Sequence, residues 1–318
     1  MASLFGQTLQ RFKKPRQIKC IDARWSYRGA RSLSDGSAFE IKQTHRLRLP
    51  GNKCGALALF GNEDLKLKKD KVFEEVRRLG DEGAQAKIQT AKPRPDPYAL
   101  QDLVEQFTWK GQGILVAEVP TVLPGANGVK GLTSTIVNAG AHALAVRTDD
   151  RQVLRDVVGA SSAPVLWLEP VFHPLQVLDA AEDGAAGVFF LPDHQPLSEL
   201  ELMVGYARRL GLEAIVEISS RHQLAGDLED RMGPCFSANC LWPLSIGIAG
   251  FGEDIADGIL GELPYGSVAI VGSNSVDSVR VARSRGADVV VLHADAFVST
   301  PSPHQLVDLA LYALSGDD

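Results

Sequence analysis

The sequence predicts an α/β protein with a (β/α)8 TIM barrel, on three observations. From about residue 112, short runs rich in β-branched residues alternate with amphipathic helical stretches. The runs do not alternate between apolar and polar residues, as expected of parallel strands buried on both faces. There are eight of them, the number that closes such a barrel. The predicted strands are 114–119, 143–147, 164–168, 187–191, 213–218, 235–238, 267–271 and 288–292.

Helical patterns fill the intervals between these strands, for example 175–184, 197–211 and 276–286, and several end in arginine followed by glycine. A doubly wound open sheet is the alternative. That fold requires fewer strands and a glycine-rich phosphate loop after the first. The turn here reads "PTVLPGANG" and contains neither GxGxxG nor GxxxxGK[ST], so the barrel is favoured.

Ahead of the barrel, residues 62–90 read as one long charged helix and 96–107 as a second, separated by Pro93, Pro95 and Pro97. Residues 1–60 read as a basic N-terminal extension with little core of its own. The predicted organisation is therefore an extension at 1–60 and a unit at 61–318, consisting of leading helices and a barrel proper from about 112.

Charge is unevenly distributed along the chain. The net charge is −6, yet residues 1–60 contain 12 of the 33 Lys and Arg and only 3 of the 39 Asp and Glu. This basic segment can be an organelle transit segment, with chloroplast stroma as one destination, an arm that touches an acidic partner, or a solvated extension. A protein partner bound through residues 1–60 is an expectation. Nucleic acid is not, because no RNA-binding motif accompanies the arginines.

The apolar runs and the cysteines limit where the protein can reside and what it can bind. The longest apolar runs are too short to cross a bilayer, so no membrane partner is expected. The four cysteines, at 20, 54, 235 and 240, form no disulfide framework, which favours a reducing compartment, cytoplasmic or organellar. They lack zinc spacing, and neither a metal nor a cofactor is predicted.

Five segments carry a resemblance to a known family. They are "AEVPTVLPG" (117–125), "AVRTDD" (145–150), "PVLWLEPVFHPLQV" (164–177), "LEAIVEISS" (212–220) and "GADVVVLH" (286–293). In order and spacing they resemble indole-3-glycerol-phosphate synthase, a ribulose-phosphate-binding barrel, over about 60–318. The resemblance implies catalytic positions at Glu118 on strand one, Glu217 on strand five, Asn239 on strand six and Ser273 on strand seven.

Other family positions are substituted. The family's general-acid lysine on strand three corresponds to Leu168, and its strand-one lysine to Pro120, which has no N–H to donate. At the phosphate-binding positions the chain has Asn274 and His293, which we predict as contacts for a small anionic ligand at the barrel mouth. Removing a positioned general acid costs ~10²–10⁴ in rate.

Three hypotheses therefore remain open. The first is a pseudoenzyme whose barrel survives as a binding or scaffold protein. The second is a divergent carbon–carbon lyase or cyclase that uses Glu118 and Glu217 with Asn239 and Ser273. The third is a true synthase, a carboxy-lyase whose missing lysine is supplied from elsewhere, with Lys130 as the candidate. Whether Trp167 and Phe172 plug the mouth bears on all three.

Overall fold

The computed structural model describes residues 62–108, 110–121, 128–218, 245–248, 259–263 and 267–315. Within these ranges it contains eight strands and ten α-helices. The strands are β1 (Ile114–Val119), β2 (Ala143–Val146), β3 (Val165–Pro170), β4 (Gly187–Phe190), β5 (Glu213–Ile218), β6 (Ser245–Ile248), β7 (Val268–Ser273) and β8 (Val289–Leu292). The helices are α1 (Asn62–Leu79), α2 (Asp81–Thr90), α3 (Ala99–Thr108), α4 (Gly128–Asn138), α5 (Arg151–Gly159), α6 (Pro174–Glu182), α7 (Leu197–Arg209), α8 (Val276–Ser284), α9 (Ala294–Ser299) and α10 (Pro303–Ser315).

The strands form a closed parallel barrel in sequential order, and β8 pairs with β1 to complete it. The predicted (β/α)8 fold is confirmed. The seven strands other than β6 are buried on both faces, because the barrel interior packs one face and the surrounding helices pack the other. The uninterrupted apolar runs follow from this double burial.

The buried apolar side chains form two clusters, one inside the barrel and one between the strands and the helices. The interior cluster includes Ile114, Val116, Leu166, Ile215 and Val291. The outer cluster contains their neighbours on the same strands, such as Leu115, Ala117, Val216 and Leu292, packed against the helices. The alternation assigns every second residue of a strand to the interior.

The sixth strand is a correction. Residues 235–238 were predicted as this strand, but β6 is Ser245–Ile248, and 235–238 lie outside the described residues. The segment "SIGI" has only a weak apolar pattern, because two of its four residues are small. It forms a strand because it pairs with β5 on one side and with β7 on the other. Asn239 therefore precedes β6 by six positions rather than ending it.

The leading helices close the two ends of the barrel differently. The predicted helix 62–90 is broken into α1 and α2 at Gly80, whose φ of 73° is left-handed and favours glycine. Helix α3 seals the amino-terminal end, where Leu100 and Val104 join the interior cluster and Gln101 donates through its backbone N–H to Glu213 at the start of β5. Helix α1 lies over the carboxyl ends of the strands, where Leu65 joins the same cluster.

The predicted boundary near residue 60 and the basic segment 1–60 lie outside the described residues and stay predictions. None of the described helices has both the length and the apolar character that crossing a membrane requires.

Candidate ligand site at the barrel mouth

Four polar residues from four different strands form the uppermost layer of the barrel interior: Glu118, Arg147, Glu217 and His293. Each follows an interior residue of its own strand by two positions, namely Val116, Ala145, Ile215 and Val291. Strand alternation therefore directs all four side chains into the barrel. Glu118 and Glu217 are each 2% exposed and His293 is 7% exposed, so this layer is buried.

Glu118 is held between a guanidinium and an imidazole. Arg147 donates from Nε to Glu118 Oε1 at 3.0 Å, and His293 Nε2 lies 3.4 Å from Glu118 Oε2. The second histidine nitrogen, Nδ1, accepts the backbone N–H of Asp295 at 3.2 Å, at the start of α9. The same nitrogen lies 3.5 Å from Asp295 Oδ2, so the imidazole stands between the carboxylates of Glu118 and Asp295.

Glu217 has a different environment. Burial raises the pKa of its carboxyl to about 8, and the charge of Arg147 opposes the rise only in part. Within the described ranges, neither carboxyl oxygen of Glu217 has a hydrogen-bond partner, and the same is true of Glu118 Oε2 and His293 Nε2. At neutral pH Glu217 is thus mostly a neutral carboxylic acid, which can donate a proton or a hydrogen bond.

Around this layer, α1 contacts the strand ends through three lysines. Lys68 pairs with the buried carboxylate of Glu169 on β3, and Lys71 pairs with Asp149 after β2 at 2.8 Å. Lys69 donates to the carbonyl of His194 after β4 at 3.2 Å. Burial raises the pKa of Glu169 while Lys68 opposes the rise, and the hydrogen bond from Lys71 lowers the pKa of Asp149.

The predicted site residues separate into two groups. Glu118, Glu217 and His293 come together in the interior layer. Ser273 points away from it, since Val271 on the same face of β7 belongs to the outer cluster, and the Ser273 hydroxyl bonds to the Ser275 carbonyl and the Ser278 hydroxyl. Asn274 is exposed at the entry to α8, where the Ser278 hydroxyl lies 3.4 Å from its side-chain oxygen. Asn239 lies outside the described residues.

The two aromatic residues of the β3 segment do not act as a common plug. Trp167 belongs to the outer cluster and donates from Nε1 to the Thr148 carbonyl at 2.8 Å. Phe172 joins Leu168, Leu65 and Leu191 in the interior cluster, so one side of the mouth is apolar. His173, predicted as a helix-entry residue, caps α6 by accepting the Leu175 N–H at 3.2 Å.

The structure places the basic residues differently from the sequence-based prediction. No lysine near the two glutamates was predicted except Lys130, but Lys130 lies on the outer helices, where it pairs with Asp156 at 3.2 Å. Arg147 and Lys68 were missed. Arg147 could have been found, because it directly follows a buried strand in "AVRTDD", where barrels place site residues. Lys68 has no such signal, since it is one of several lysines in a charged helix.

Comparison with known proteins gives no matching family model. Among individual proteins, the chain is similar to the indole-3-glycerol phosphate synthase of Oceanobacillus iheyensis, with 32% identity over 96 residues, 28% of this chain and 37% of that enzyme. The enzyme of the same name from Opitutus terrae is 23% identical over 244 residues, 70% of this chain and 87% of that enzyme. The stronger local matches thus span about a third of the length of the relatives, and the weaker match spans most of it.

The fold resembles solved structures of similar size. A chain of Mycobacterium tuberculosis tryptophan synthase matches 70% of this chain and 99% of its own length, with a TM-score of 0.53 and 12% identity. Tryptophan synthase subunit alpha from Legionella pneumophila matches 68% of this chain with a TM-score of 0.53 and 14% identity. At these identities the likeness establishes the barrel fold alone.

Proposed function

We propose that this chain is an indole-3-glycerol-phosphate-synthase-like barrel that has lost synthase activity and binds a ligand at its mouth. The observation that supports this proposal best is the pairing of the cations there. Arg147 is bound to Glu118, Lys68 to Glu169 and Lys71 to Asp149, while Lys69 bonds to a backbone carbonyl. Among the described residues, a sugar-phosphate dianion would have to break one of the three carboxylate pairs, or draw Lys69 from its carbonyl, to obtain a counter-charge.

The substituted strand-three position supports the same proposal. Leu168 is 1% exposed and packs in the interior cluster with Phe172, so the side chain that replaces the family's lysine is part of an apolar wall. An apolar wall cannot protonate a leaving hydroxyl. Loss of a positioned acid accounts for ~10²–10⁴ in rate, and loss of charge stabilisation adds ~3–4 kcal/mol.

The test is a synthase assay with the purified full chain. The substrate is the carboxyphenylamino deoxyribulose phosphate from which the indole ring is closed, and indole product is followed by fluorescence. We expect no turnover above the rate in buffer. Turnover at a rate typical of enzymes, about 1 s⁻¹ or faster, would contradict the proposal.

A divergent carbon–carbon lyase or cyclase is the second candidate, and two observations favour it. Glu217 is a buried carboxyl with its pKa near neutrality, as suits a general acid. Lys68 brings an ammonium to the end of β3 from α1, beside the position where the family's lysine is missing. In this candidate function, Lys68 rather than Lys130 substitutes for that lysine.

Matched lysine variants separate the two candidates if any turnover is found. Lys68→Met should abolish the turnover and Lys130→Met should leave it unchanged, because Lys130 pairs with Asp156 on the outer helices. A protein partner that binds through residues 1–60 stays a prediction. Its test is whether a partner co-purifying with the full chain is lost when residues 1–60 are deleted.

A further inference from the structure

Among the described residues, the interior layer contains more carboxyl groups than permanent cations. Glu118 and Glu217 supply two carboxyls there, and Arg147 supplies one guanidinium. His293 contacts Glu118 through Nε2 at 3.4 Å and Asp295 through Nδ1 at 3.5 Å, so the imidazole faces these two carboxylates and not Glu217. Arg147 is bonded to Glu118, which leaves Glu217 as the carboxyl that has no charged group bonded to it.

The surroundings of the Glu217 carboxyl leave its hydrogen-bonding capacity open to a ligand. Glu217 is 2% exposed, it points into the barrel, and neither of its oxygens has a hydrogen-bond partner among the described residues. Leaving a buried polar group in this way is unfavourable, so such groups mark places where a ligand completes the hydrogen bonding. Glu118 Oε2 and His293 Nε2 lie 3.4 Å apart in the same layer and likewise make no hydrogen bond to a described residue.

The charge balance selects the kind of ligand. An anion would meet two carboxyls and a guanidinium that is already paired. A neutral polyol would bond to the Glu217 acid without changing its ionisation. An ammonium group would bond to the Glu217 carboxylate by charge-assisted hydrogen bonds, which are about twice as strong as neutral ones.

We propose that the barrel mouth binds a small ligand that carries a protonated amine, with Glu217 as its carboxylate partner. This inference rests on the proposed ligand-binding function and replaces the predicted anionic ligand with a cationic one. The exchange is electroneutral: Glu217 releases its proton to solvent as the ammonium group arrives, and the ligand keeps its own proton. The layer has one Arg147–Glu118 pair before binding, and that pair plus an ammonium–Glu217 pair afterwards.

Three probes of similar size test the charge preference: ethanolamine, ethylene glycol and glycolate. Each is titrated to about 100 mM, since molecules of four or five heavy atoms reach about millimolar affinity. The readout is the ¹³C signal of the Glu217 carboxyl in protein labelled at glutamate Cδ, recorded at pH 7 in unbuffered sodium chloride. The signal is assigned by its loss in Glu217→Gln.

With ethanolamine, we expect the Glu217 signal to move from the protonated to the ionised position. A pH-stat should record about 0.9 proton released per molecule bound, as follows at pH 7 for a group with a pKa of about 8. Glycol and glycolate should leave the signal protonated. Glu217→Gln should bind ethanolamine at least about tenfold more weakly, the loss of one charge-assisted bond.

Asp102→Asn is the matched control, because Asp102 is an exposed carboxylate on α3, at the opposite end of the barrel from the layer, and this variant should bind like the unmodified chain. Thermal unfolding shows that each variant is folded. A signal that responds to glycolate and not to ethanolamine overturns the inference, and so does a signal that stays protonated at the highest ethanolamine concentration. Either result leaves the synthase assay, and hence the proposed loss of synthase activity, to be judged separately.

Discussion

Arg147 Nε lies 3.0 Å from Glu118 Oε1 inside the barrel, with side-chain exposures of 13% and 3%. Glu118 lies near the carboxyl end of β1, and Arg147 directly follows the neighbouring strand β2. The register pairs Glu118 with Ala145, two positions before Arg147. The ion pair therefore links the carboxyl ends of β1 and β2. A buried pair of this kind is far more sensitive to losing one partner than to losing both.

Arg147→Met should destabilise the fold by about 3–5 kcal/mol, because it leaves the Glu118 carboxylate buried without its counter-charge. The double variant Arg147→Met with Glu118→Leu should recover most of this loss, since both charges are then removed. Urea unfolding measures both free energies. A double variant no more stable than the single one would show that the unpaired Glu118 carboxylate is not the cause of the lost stability.

Glu217→Gln should change how stability depends on pH. The folded pKa of about 8 exceeds the ordinary glutamate pKa of 4.5, so the folded state holds the Glu217 proton more tightly than the unfolded chain does. The stability associated with the neutral acid is complete below about pH 4.5 and is lost as pH rises towards 8. The amide cannot ionise, so Glu217→Gln should become progressively more stable than the unmodified chain over this window.

Melting temperatures of both proteins at half-unit steps from pH 5 to pH 9 measure this difference. The gap should grow to a few kcal/mol and then level off above pH 8, beyond the folded pKa. A gap that is constant with pH would mean that Glu217 titrates normally in the folded protein.

His173→Asn should remove a separate, acidic loss of stability. Burial lowers the pKa of His173 from 6.5 to about 4, so between these pH values the imidazole is protonated in the unfolded chain and neutral in the folded protein. Stability is therefore lost as pH falls from about 6.5 to 4. Asparagine still caps α6 and does not titrate, so the variant should resist this loss. His173→Ala, which lacks the cap, should be less stable at every pH by about 1 kcal/mol.

Three lysine variants of α1 should loosen the helix to different extents. Lys68→Met leaves the Glu169 side chain, 4% exposed, without its cation, whereas the Lys71–Asp149 pair has exposures of 68% and 55%. Exposed pairs contribute ~0–1 kcal/mol and buried ones lose more when broken. Amide hydrogen exchange in 62–79 should therefore accelerate most in Lys68→Met, less in Lys71→Met and least in the exposed control Lys66→Met. Equal rates in all three would contradict a docking role for Lys68.

Ser273→Ala tests whether Ser273 belongs to the site. Its hydroxyl bonds to Ser275 and Ser278 at the start of α8, so the substitution should lower stability by about 1 kcal/mol through lost hydrogen bonding. The shift of the Glu217 signal with ethanolamine should be unchanged. A weakened response to ethanolamine would return Ser273 to the candidate site.

The sequence predicts the barrel because eight double-buried strands leave a strong local pattern, and seven of them were located correctly. It fails at β6, where "SIGI" carries little apolar signal and pairing with both neighbours decides the structure. Glu118 and Glu217 were identified from the resemblance, but Arg147 and Lys68 were not, since contacts across strands and from α1 depend on the closed barrel. The side-chain direction of Ser273 was not predictable either, because family position does not reveal which face of β7 it occupies, and its role in the site stays a prediction.

Helix α3 closes one end of the barrel with Leu100 and Val104, while the layer around Glu217 lies at the other end beneath α1. Below that layer the described interior side chains are apolar, for example Val116, Ile215 and Val291, so a proton that leaves Glu217 reaches water through the mouth. Lys68→Met, which should loosen α1, is therefore expected to speed the exchange of the Glu217 proton with solvent.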